Sequence, residues 1–231
     1  MWNRQELKER GKAAFKGNYW RSVGAALVLT IAGGASIGST GSSVRANSQE
    51  ISAQMESLTP EQAATVVAIV LGVVGFAMLM GTLLNIFLFN PLKVGAQRFF
   101  LVNGEEPANL GELGYAFRAN YIRIVGVCFL RDLYVALWSC LLLIPGIVKA
   151  YAYRMVPYIL AENPDMSAKE AITLSRKMMY GHKWNTFLLD LSFIGWHILT
   201  ACTAGLVGVF YTGPYVAATD AELYRALRND L

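Results

Sequence analysis

One long stretch without charge limits what this chain can fold into. Residues 62–92 contain no Asp, Glu, Lys or Arg, and the most apolar part is residues 64–89. About 20 apolar residues in a helix are enough to cross the roughly 30 Å hydrocarbon layer of a membrane. Residues 22–44 are also free of charge. We therefore predict that both stretches contain membrane-spanning helices, and that Asn90-Pro91 ends the second of them.

The composition agrees with a membrane environment. Only 16% of the 231 residues are charged, whereas soluble domains carry about 25%. The three cysteines, Cys128, Cys140 and Cys202, lie in separate apolar segments. Their number and spacing fit neither a disulfide framework nor a zinc site. We interpret them as packing residues, and we expect no metal and no cofactor.

The remaining apolar segments predict two helical hairpins. Residues 121–162 form two spans if a tight turn falls at Pro145-Gly146, and residues 184–203 and 206–224 form another two with a turn near 204–208. Residues 40–63 are a polar loop. The predicted fold is all-α, a polytopic membrane bundle of six transmembrane helices arranged as three hairpins.

An amphipathic helix is expected before each hairpin, on the cytoplasmic surface. Residues 3–16 carry a narrow apolar stripe, and residues 93–120 are a second polar section. Ser167 and Glu170 have the spacing of a capping box at the start of the third helix. We expect its packed face to contain Ala168, Ala171, Ile172, Ser175, Met178 and Met179. The tail, residues 220–230, is expected to be a short polar helix.

The distribution of Lys and Arg sets the predicted orientation. Six lie in the first 21 residues, one in residues 40–63, four in 93–123 and four in 163–183. Positively charged loops face the cytoplasm. Six spans with both termini inside satisfy every loop, whereas a single span over 121–162 would place a basic section outside. The expected location is the bacterial cytoplasmic membrane.

A short motif recurs along the chain. Residues 14–21 and 116–123 are identical at five of eight positions and exchange Lys for Arg at a sixth, and residues 178–185 are a weaker copy. Pro91, Pro157 and Pro214 occupy matching places in the returning spans. We predict a single membrane domain over 1–231 with repeats at about 1–100, 101–163 and 164–231. Alternatively, every inward-facing boundary independently favours such a motif.

Several charged residues fall inside the predicted spans. These are Arg131, Asp132, Arg154 and Asp190. A lone charge at mid-membrane costs at least ~2.5–3.5 kcal/mol, so each should find a partner inside the bundle. We expect Asp132 to pair with Arg154, with Asp190 as the second candidate partner. Together they would form either a polar path or anionic-ligand site, or a buried ion pair that sets helix register.

Two further residues are candidates for the same site. Lys149 lies near the outer boundary, where its ammonium group can reach water. His197 lies in the fifth span, as a proton relay or as a hydrogen-bonded structural residue.

Enzymatic signatures are weak in this sequence. Residues 34–38 match the serine nucleophile pattern G-x-S-x-G, but they lie in a span, where glycines four apart favour helix packing. A remote alternative is an intramembrane serine protease that uses Ser36 and His197. The sequence lacks the common metalloprotease, redox, phosphate-binding and dinucleotide motifs. We therefore predict no enzymatic activity, and the basic residues follow topology rather than a nucleic-acid site.

One family resembles this sequence over nearly its whole length. The run PGIVKAYAYRMVPYILAENPDMSAKEAITLSRKMMYGHKWNTFLLDLSFIGW at 145–196 and the opening RQELKERGKAAFKGNYW are similar to domain of unknown function 975. The resemblance implies a polytopic protein of the cytoplasmic membrane, mostly of Gram-positive bacteria. It implies no established reaction and no catalytic residues.

Two functions remain open from the sequence. The first is a non-enzymatic protein that binds or passes a small amphipathic or anionic ligand, or that is an accessory to membrane transport. The second is a scaffold or regulatory protein whose surface helices bind lipid or a partner, through Lys169, Arg176 and Lys177. The expected partners are the lipid bilayer and a membrane protein or a second copy of the chain.

Overall fold

The computed structural model describes residues 2–32 and 59–230. These residues form helices, turns and irregular segments and no strand, which confirms the all-α class for the described part. Two of the distorted segments, Asn85–Phe89 and Gly208–Thr212, are π-helical. The α-helices are α1 (Arg4–Gly17), α2 (Tyr19–Ala32), α3 (Pro60–Leu84), α4 (Asn90–Asn103), α5 (Tyr115–Arg118), α6 (Tyr121–Leu141), α7 (Leu143–Ala152), α8 (Val156–Glu162), α9 (Ala168–Met178), α10 (Lys183–Leu191), α11 (Ile194–Cys202) and α12 (Gly213–Asn229).

Helix α3 belongs to a unit of its own, residues 34–85, of which residues 59–85 are described. The Thr59 hydroxyl accepts from the Gln62 backbone N–H at 3.4 Å, and the Gln62 side chain accepts from the Thr59 N–H at 3.1 Å. Pro60 occupies the start of the helix, where its missing N–H costs nothing. None of the residues of α3 is buried, although most are apolar.

The helical backbone does not end at Asn90-Pro91, so that prediction was wrong. Helix α4 begins at Asn90, directly after the π-helical segment, and continues to Asn103. A proline inside a helix leaves the carbonyl four residues earlier, here that of Phe87, without its donor. The Tyr121 hydroxyl replaces that donor and donates to the Phe87 carbonyl oxygen at 2.6 Å. The backbone can therefore pass Pro91 and remain helical.

The prolines of the other two returning spans occupy the same position in their helices as Pro91 does in α4. Pro157 is the second residue of α8, after a break at residues 153–155. Pro214 is the second residue of α12, after the π-helical segment Gly208–Thr212. All three prolines thus follow a distorted segment and stand second in the next helix. This geometry agrees with an internal repeat, which stays a prediction.

The turn of the second hairpin lies at Leu142, not at Pro145-Gly146 as predicted. Leu142 is extended, with φ −156° and ψ 133°, between α6 and α7. Pro145 lies in the first turn of α7, where a helix tolerates proline. Gly146 lies against α6, and a Cβ there would come within 2.7 Å of the Ser139 Cα. The glycine therefore allows close packing of two helices rather than a turn.

The third hairpin contains a break that the sequence did not predict. Residues 184–203 are not one helix, because α10 ends at Leu191 and α11 begins at Ile194. The Ser192 hydroxyl donates to the Leu189 carbonyl at 2.6 Å, a local bond that competes with the helical pattern. The turn at residues 204–208 is confirmed, since Ala204 and Gly205 have φ of 48° and 88°.

The first and last helices pack against each other. Gly11 of α1 lies so close to α12 that a Cβ would come within 2.8 Å of the Thr219 Cα. Leu7 and Phe15 of the predicted stripe are buried, so α1 packs its apolar stripe against the rest of the protein. The tail is not a separate polar helix. It continues α12 to Asn229 and buries residues such as Leu223.

Helix α9 has the predicted cap and face. Ser167 and Glu170 form a capping box, and Ala171, Ile172, Ser175 and Met178 are buried. The Ser175 hydroxyl donates to the Ala152 carbonyl at 2.8 Å, which attaches α9 to the end of α7.

Burial is uneven along the hairpins. Helices α1, α4, α8, α9 and α12 supply most of the buried apolar residues, and we call this region the packed end. In α6, burial is confined to the segment up to Cys128, and none of α11 is buried. Many apolar residues of α6, α7 and α11 are exposed, including Leu133, Leu137, Leu141, Ile144, Ile147, Val148, Ile194, Ile198 and Leu199. We call this surface the apolar flank.

Two stretches of the described residues are long and apolar enough to cross a membrane. They are Pro60–Asn103 and Tyr121–Leu141, and Tyr19–Ala32 is a shorter apolar helix. The first predicted span is described only to Ala32, and most of the predicted loop at 40–63 lies outside the described residues.

Candidate functional site

Three side chains meet around the guanidinium group of Arg154, and we call the four residues the Arg154 cluster. Arg154 donates from Nη1 to Asp190 Oδ2 at 2.6 Å and from Nη2 to Asp190 Oδ1 at 3.0 Å. Its Nη2 also donates to the two oxygens of Asp220 at 2.8 and 2.9 Å. The Tyr151 hydroxyl donates to Asp190 Oδ2 at 2.8 Å. Such charge-assisted, paired bonds are the strongest hydrogen bonds in proteins.

The Arg154 cluster joins elements that are distant in sequence. Arg154 lies in the break between α7 and α8, Asp190 lies near the end of α10, and Asp220 lies in α12. The exposed fractions of the three side chains are 22%, 32% and 19%. Two carboxylates against one guanidinium give the cluster one net negative charge, with the guanidinium already held by protein groups.

The expected pair between Asp132 and Arg154 does not form. Asp190, the second candidate, contacts Arg154 instead. The prediction treated the second span of the 121–162 hairpin as one continuous helix. The break at residues 153–155 changes the direction of the Arg154 side chain, so the side chain reaches α10 and α12.

Asp132 is the centre of a second group, which we call the Asp132 cluster. Its Oδ1 accepts from Arg131 Nε at 2.9 Å and Nη2 at 2.6 Å. Its Oδ2 accepts from Asn90 Nδ2 at 2.8 Å, and Lys93 Nζ lies 3.5 Å from Asn90 Oδ1. Two cations against one carboxylate give this cluster one net positive charge.

One buried side-chain oxygen on the helix that carries Asn90 and Lys93 has no hydrogen-bond partner among the described residues. Asn90, Lys93 and Gln97 are spaced i, i+3 and i+7, which puts them on one face of α4. Among the described residues, no donor reaches the buried Gln97 Oε1. Buried polar atoms normally have a partner, so this face of α4 has unused hydrogen-bonding capacity.

The other predicted site residues lie apart from both clusters. Lys149 Nζ lies 4.7 Å from the centre of the Trp138 ring, a cation–π contact. His197 is exposed, and no hydrogen bond to its ring is present within the described residues. Ser36 lies outside the described residues.

The cysteines differ in environment. Cys128 is buried, as expected for a packing residue, whereas Cys140 and Cys202 are exposed near the two hairpin turns. In the part of the chain that the structure describes, no three His, Cys, Asp or Glu residues are grouped so that they could hold a metal ion.

Sequence reasoning missed Asp220, Tyr151, Lys93 and Asn90. Asp220 could have been found, since it lies inside the predicted span 206–224, where any charge needs a partner. Lys93 is the first charge after the long uncharged stretch, and we assigned it to the membrane surface. Tyr151 and Asn90 gave no signal, because aromatic and amide residues are common near span ends.

These features define a helical protein with candidate membrane spans and two partly buried ionic clusters. Residues 140–230 match a family model described as "Protein of unknown function (DUF975)". Residues 140–230 are therefore similar to this family, which confirms the resemblance noted from the sequence for that region. The matched region contains the whole Arg154 cluster. No curated protein and no solved structure matches the chain.

Proposed function

We propose that this chain is a multi-pass protein of the bacterial cytoplasmic membrane, with six spans in three hairpins and both termini in the cytoplasm. The apolar flank supports the proposal, because it exposes many large apolar side chains on the neighbouring helices α6 and α7 and more on α11, and extensive apolar exposure is unusual for a soluble monomer. The uneven burial fits a molecule whose packed end lies at the inner surface and whose flank contacts lipid.

The native cysteines offer a direct test of this topology. Cys140 and Cys202 are exposed near the hairpin turns, and Cys128 is buried. In intact cells, a membrane-impermeant maleimide should label the wild-type protein, and the double variant Cys140→Ser/Cys202→Ser should not react. In that double variant, an added Lys177→Cys should react only after permeabilisation. Labelling of Lys177→Cys in intact cells would contradict the proposed orientation.

Within this membrane protein, we assign a non-enzymatic function to the Asp132 cluster, the binding or passage of a small amphipathic anion. The assignment rests on the surplus positive charge of the Asp132 cluster, in which Lys93 and Arg131 are compensated only by the carboxylate of Asp132. A partly buried surplus cation is costly in a membrane and favours an anionic partner. The unpaired Gln97 Oε1 on the same helix face adds an acceptor for a hydroxyl group of the ligand. The Arg154 cluster supports this role less, because its surplus charge is negative.

Binding of two amphiphiles with equal chains tests the assignment. The purified protein in dodecyl maltoside should bind dodecyl phosphate more tightly than dodecyltrimethylammonium, as measured by calorimetry. Lys93→Gln should weaken dodecyl phosphate binding about fivefold or more, because a charge-assisted contact contributes at least ~1 kcal/mol. Lys16→Gln, at an exposed position of α1, is the matched control. Equal binding of both amphiphiles, or equal effects of both variants, would refute the site.

A second candidate function is a membrane scaffold, and the apolar flank favours it. Exposed apolar side chains on α6 and α7 can contact a partner protein or a second copy of the chain as well as lipid. Light scattering of the detergent complex distinguishes these cases, because the chain mass is 25.3 kDa. A protein mass near 50 kDa for the wild type, and the mass of one chain for Leu137→Ser, would support the scaffold. The mass of one chain for both proteins would count against self-association.

A further inference from the structure

The outward face of α9 carries a groove that neither ionic cluster includes. Its volume is about 570 Å³, and it is lined by Met166, Lys169, Glu170, Thr173, Leu174 and Lys177. Lys169, Thr173 and Lys177 form one ridge of α9, and Glu170 and Leu174 lie on the next, as the spacing of a helix dictates. Met166 lies just before the helix begins. The opposite face of α9 is buried, so this face is the free side of the helix.

The groove combines two cations with apolar contacts. Lys169 and Lys177 are eight residues apart, or about 12 Å along the helix axis, and both are exposed. Met166 and Leu174 are partly buried and supply the apolar wall. The groove can therefore receive an anionic group next to an apolar one.

The one acid in the groove is held by the helix cap. Glu170 Oε2 accepts from the Ser167 N–H at 3.1 Å and from the Ser167 hydroxyl at 2.7 Å. These bonds hold the pKa of Glu170 below its usual value. Its charge also compensates the positive end of α9. The two lysines thus keep their charge for a ligand.

The residues near the groove match the boundary of a membrane. Tyr180 and Trp184 follow α9 directly and are 84% and 67% exposed. Trp184 stacks on Phe187 with ring centres 5.3 Å apart. Exposed Tyr and Trp mark the headgroup level of a bilayer. Exposed Arg176 adds positive charge on α9, and Arg123 of α6 donates to the Asp165 carbonyl before the start of α9.

We propose that the α9 groove binds the headgroup of an anionic phospholipid. Lys169 and Lys177 contact the phosphate, and Met166 and Leu174 contact the glycerol and the first methylenes of the acyl chains. Charge complementarity and the adjacent aromatic residues favour a phospholipid, rather than a soluble anion or a protein, as the occupant of the groove. It rests on the proposed membrane placement and is separate from the ligand of the Asp132 cluster.

Short-chain lipids test the groove on the full chain in dodecyl maltoside. Dioctanoyl phosphatidylglycerol should bind at least tenfold more tightly than dioctanoyl phosphatidylcholine. Each lysine near an anionic lipid contributes about 1 kcal/mol, or fivefold in affinity. Lys169→Gln/Lys177→Gln should therefore weaken phosphatidylglycerol binding about 25-fold. Lys12→Gln/Lys16→Gln, which removes two exposed lysines from α1, should change it less than twofold.

Three further measurements complete the test. Leu174→Ser should weaken phosphatidylglycerol binding, and glycerol 3-phosphate should compete at least tenfold more weakly than the lipid. Lys169→Gln/Lys177→Gln should lose as much phosphatidylglycerol affinity in a Lys93→Gln background as in the wild type, so the groove and the Asp132 cluster can fail independently. Equal loss in both double-lysine variants, or equal competition by glycerol 3-phosphate, would overturn the proposal. Lys169 and Lys177 are exposed and Leu174 is partly buried against the core, so circular dichroism verifies that each variant folds.

Discussion

The Tyr121 hydroxyl donates a 2.6 Å hydrogen bond to the carbonyl oxygen of Phe87, 34 residues earlier in the chain. Pro91 has no N–H to donate to that carbonyl, so a residue of α6 replaces the bond that the helix loses. The distorted segment before Pro91 is therefore stabilised by a tertiary contact, and α4 can begin directly after it.

Removing this hydroxyl should destabilise the protein. Tyr121→Phe keeps the ring, which stacks on Phe117 at 5.7 Å, and removes only the donor. The expected loss is about 1 kcal/mol in the free energy of unfolding, measured by titration with sodium dodecyl sulfate in mixed micelles. Tyr134→Phe, on the exposed side of the same helix, should have little effect. Equal losses in both variants would contradict a role for the hydroxyl.

The contact between α1 and α12 should not tolerate a methyl group at Gly11. Alanine is favoured over glycine in a helix by about 1 kcal/mol, which alone would stabilise Gly11→Ala. The Cβ would lie 2.8 Å from the Thr219 Cα, and overpacking of this kind costs about 1–3 kcal/mol. We expect a net loss of stability. Gly17→Ala has free space at the end of the same helix and should be neutral or stabilising. A stable Gly11→Ala would argue against the close approach of the two helices.

Arg154 should contribute more to stability than Arg131. Arg154→Gln leaves Asp190 and Asp220 close together without a cation, and breaking a buried ionic group typically costs about 3–5 kcal/mol. Arg131→Gln leaves Asp132 with Asn90 as a remaining donor, so we expect a loss nearer 1 kcal/mol. Thermal unfolding in dodecyl maltoside compares the two. If both variants unfold at the same temperature, the Arg154 cluster does not lock the hairpins together.

The cap of α9 should weaken at acid pH. Hydrogen bonds from Ser167 lower the pKa of Glu170 in the folded protein. A carboxylate with a lowered folded pKa stabilises the native state above its unfolded pKa, and this contribution is lost as the pH falls through the folded pKa. Hydrogen-exchange protection in the first turn of α9 should therefore decrease below the usual glutamate pKa of 4.5.

The chain provides its own control for this effect. The capping box of α3 uses Thr59 and Gln62, which do not titrate in this range. Protection in the first turn of α3 should be independent of acid pH after correction for intrinsic exchange. Glu170→Gln should remove the dependence in α9, and a dependence that persists in this variant would exclude Glu170 as its source.

The helical class and several helix starts follow from the sequence because they depend on local signals. The capping box at Ser167 and Glu170 was predicted from spacing alone, and the buried face of α9 followed from a period of 3.6. The turn near Ala204 was also predicted, since small residues separate the last two apolar segments. Each of these features depends on residues within a few positions of each other.

The features that sequence reasoning missed depend on distant residues. The passage of the helix through Pro91 requires Tyr121, and the true partners of Arg154 come from α10 and α12. We predicted that Arg154 pairs with Asp132 because both were expected at a similar depth in the membrane. The break before Pro157 turns the Arg154 side chain towards other helices. Gly146 was interpreted as a turn residue, because its contact with Ser139 cannot be read from neighbouring positions.

The contact of Gly11 with Thr219 has a consequence for biogenesis. Helix α1 precedes α12 in the chain, so the surface that buries Leu7 and Phe15 is incomplete until α12 has been synthesised. A chain that stops before residue 213 would consequently leave α1 without this partner and present it to quality-control proteases.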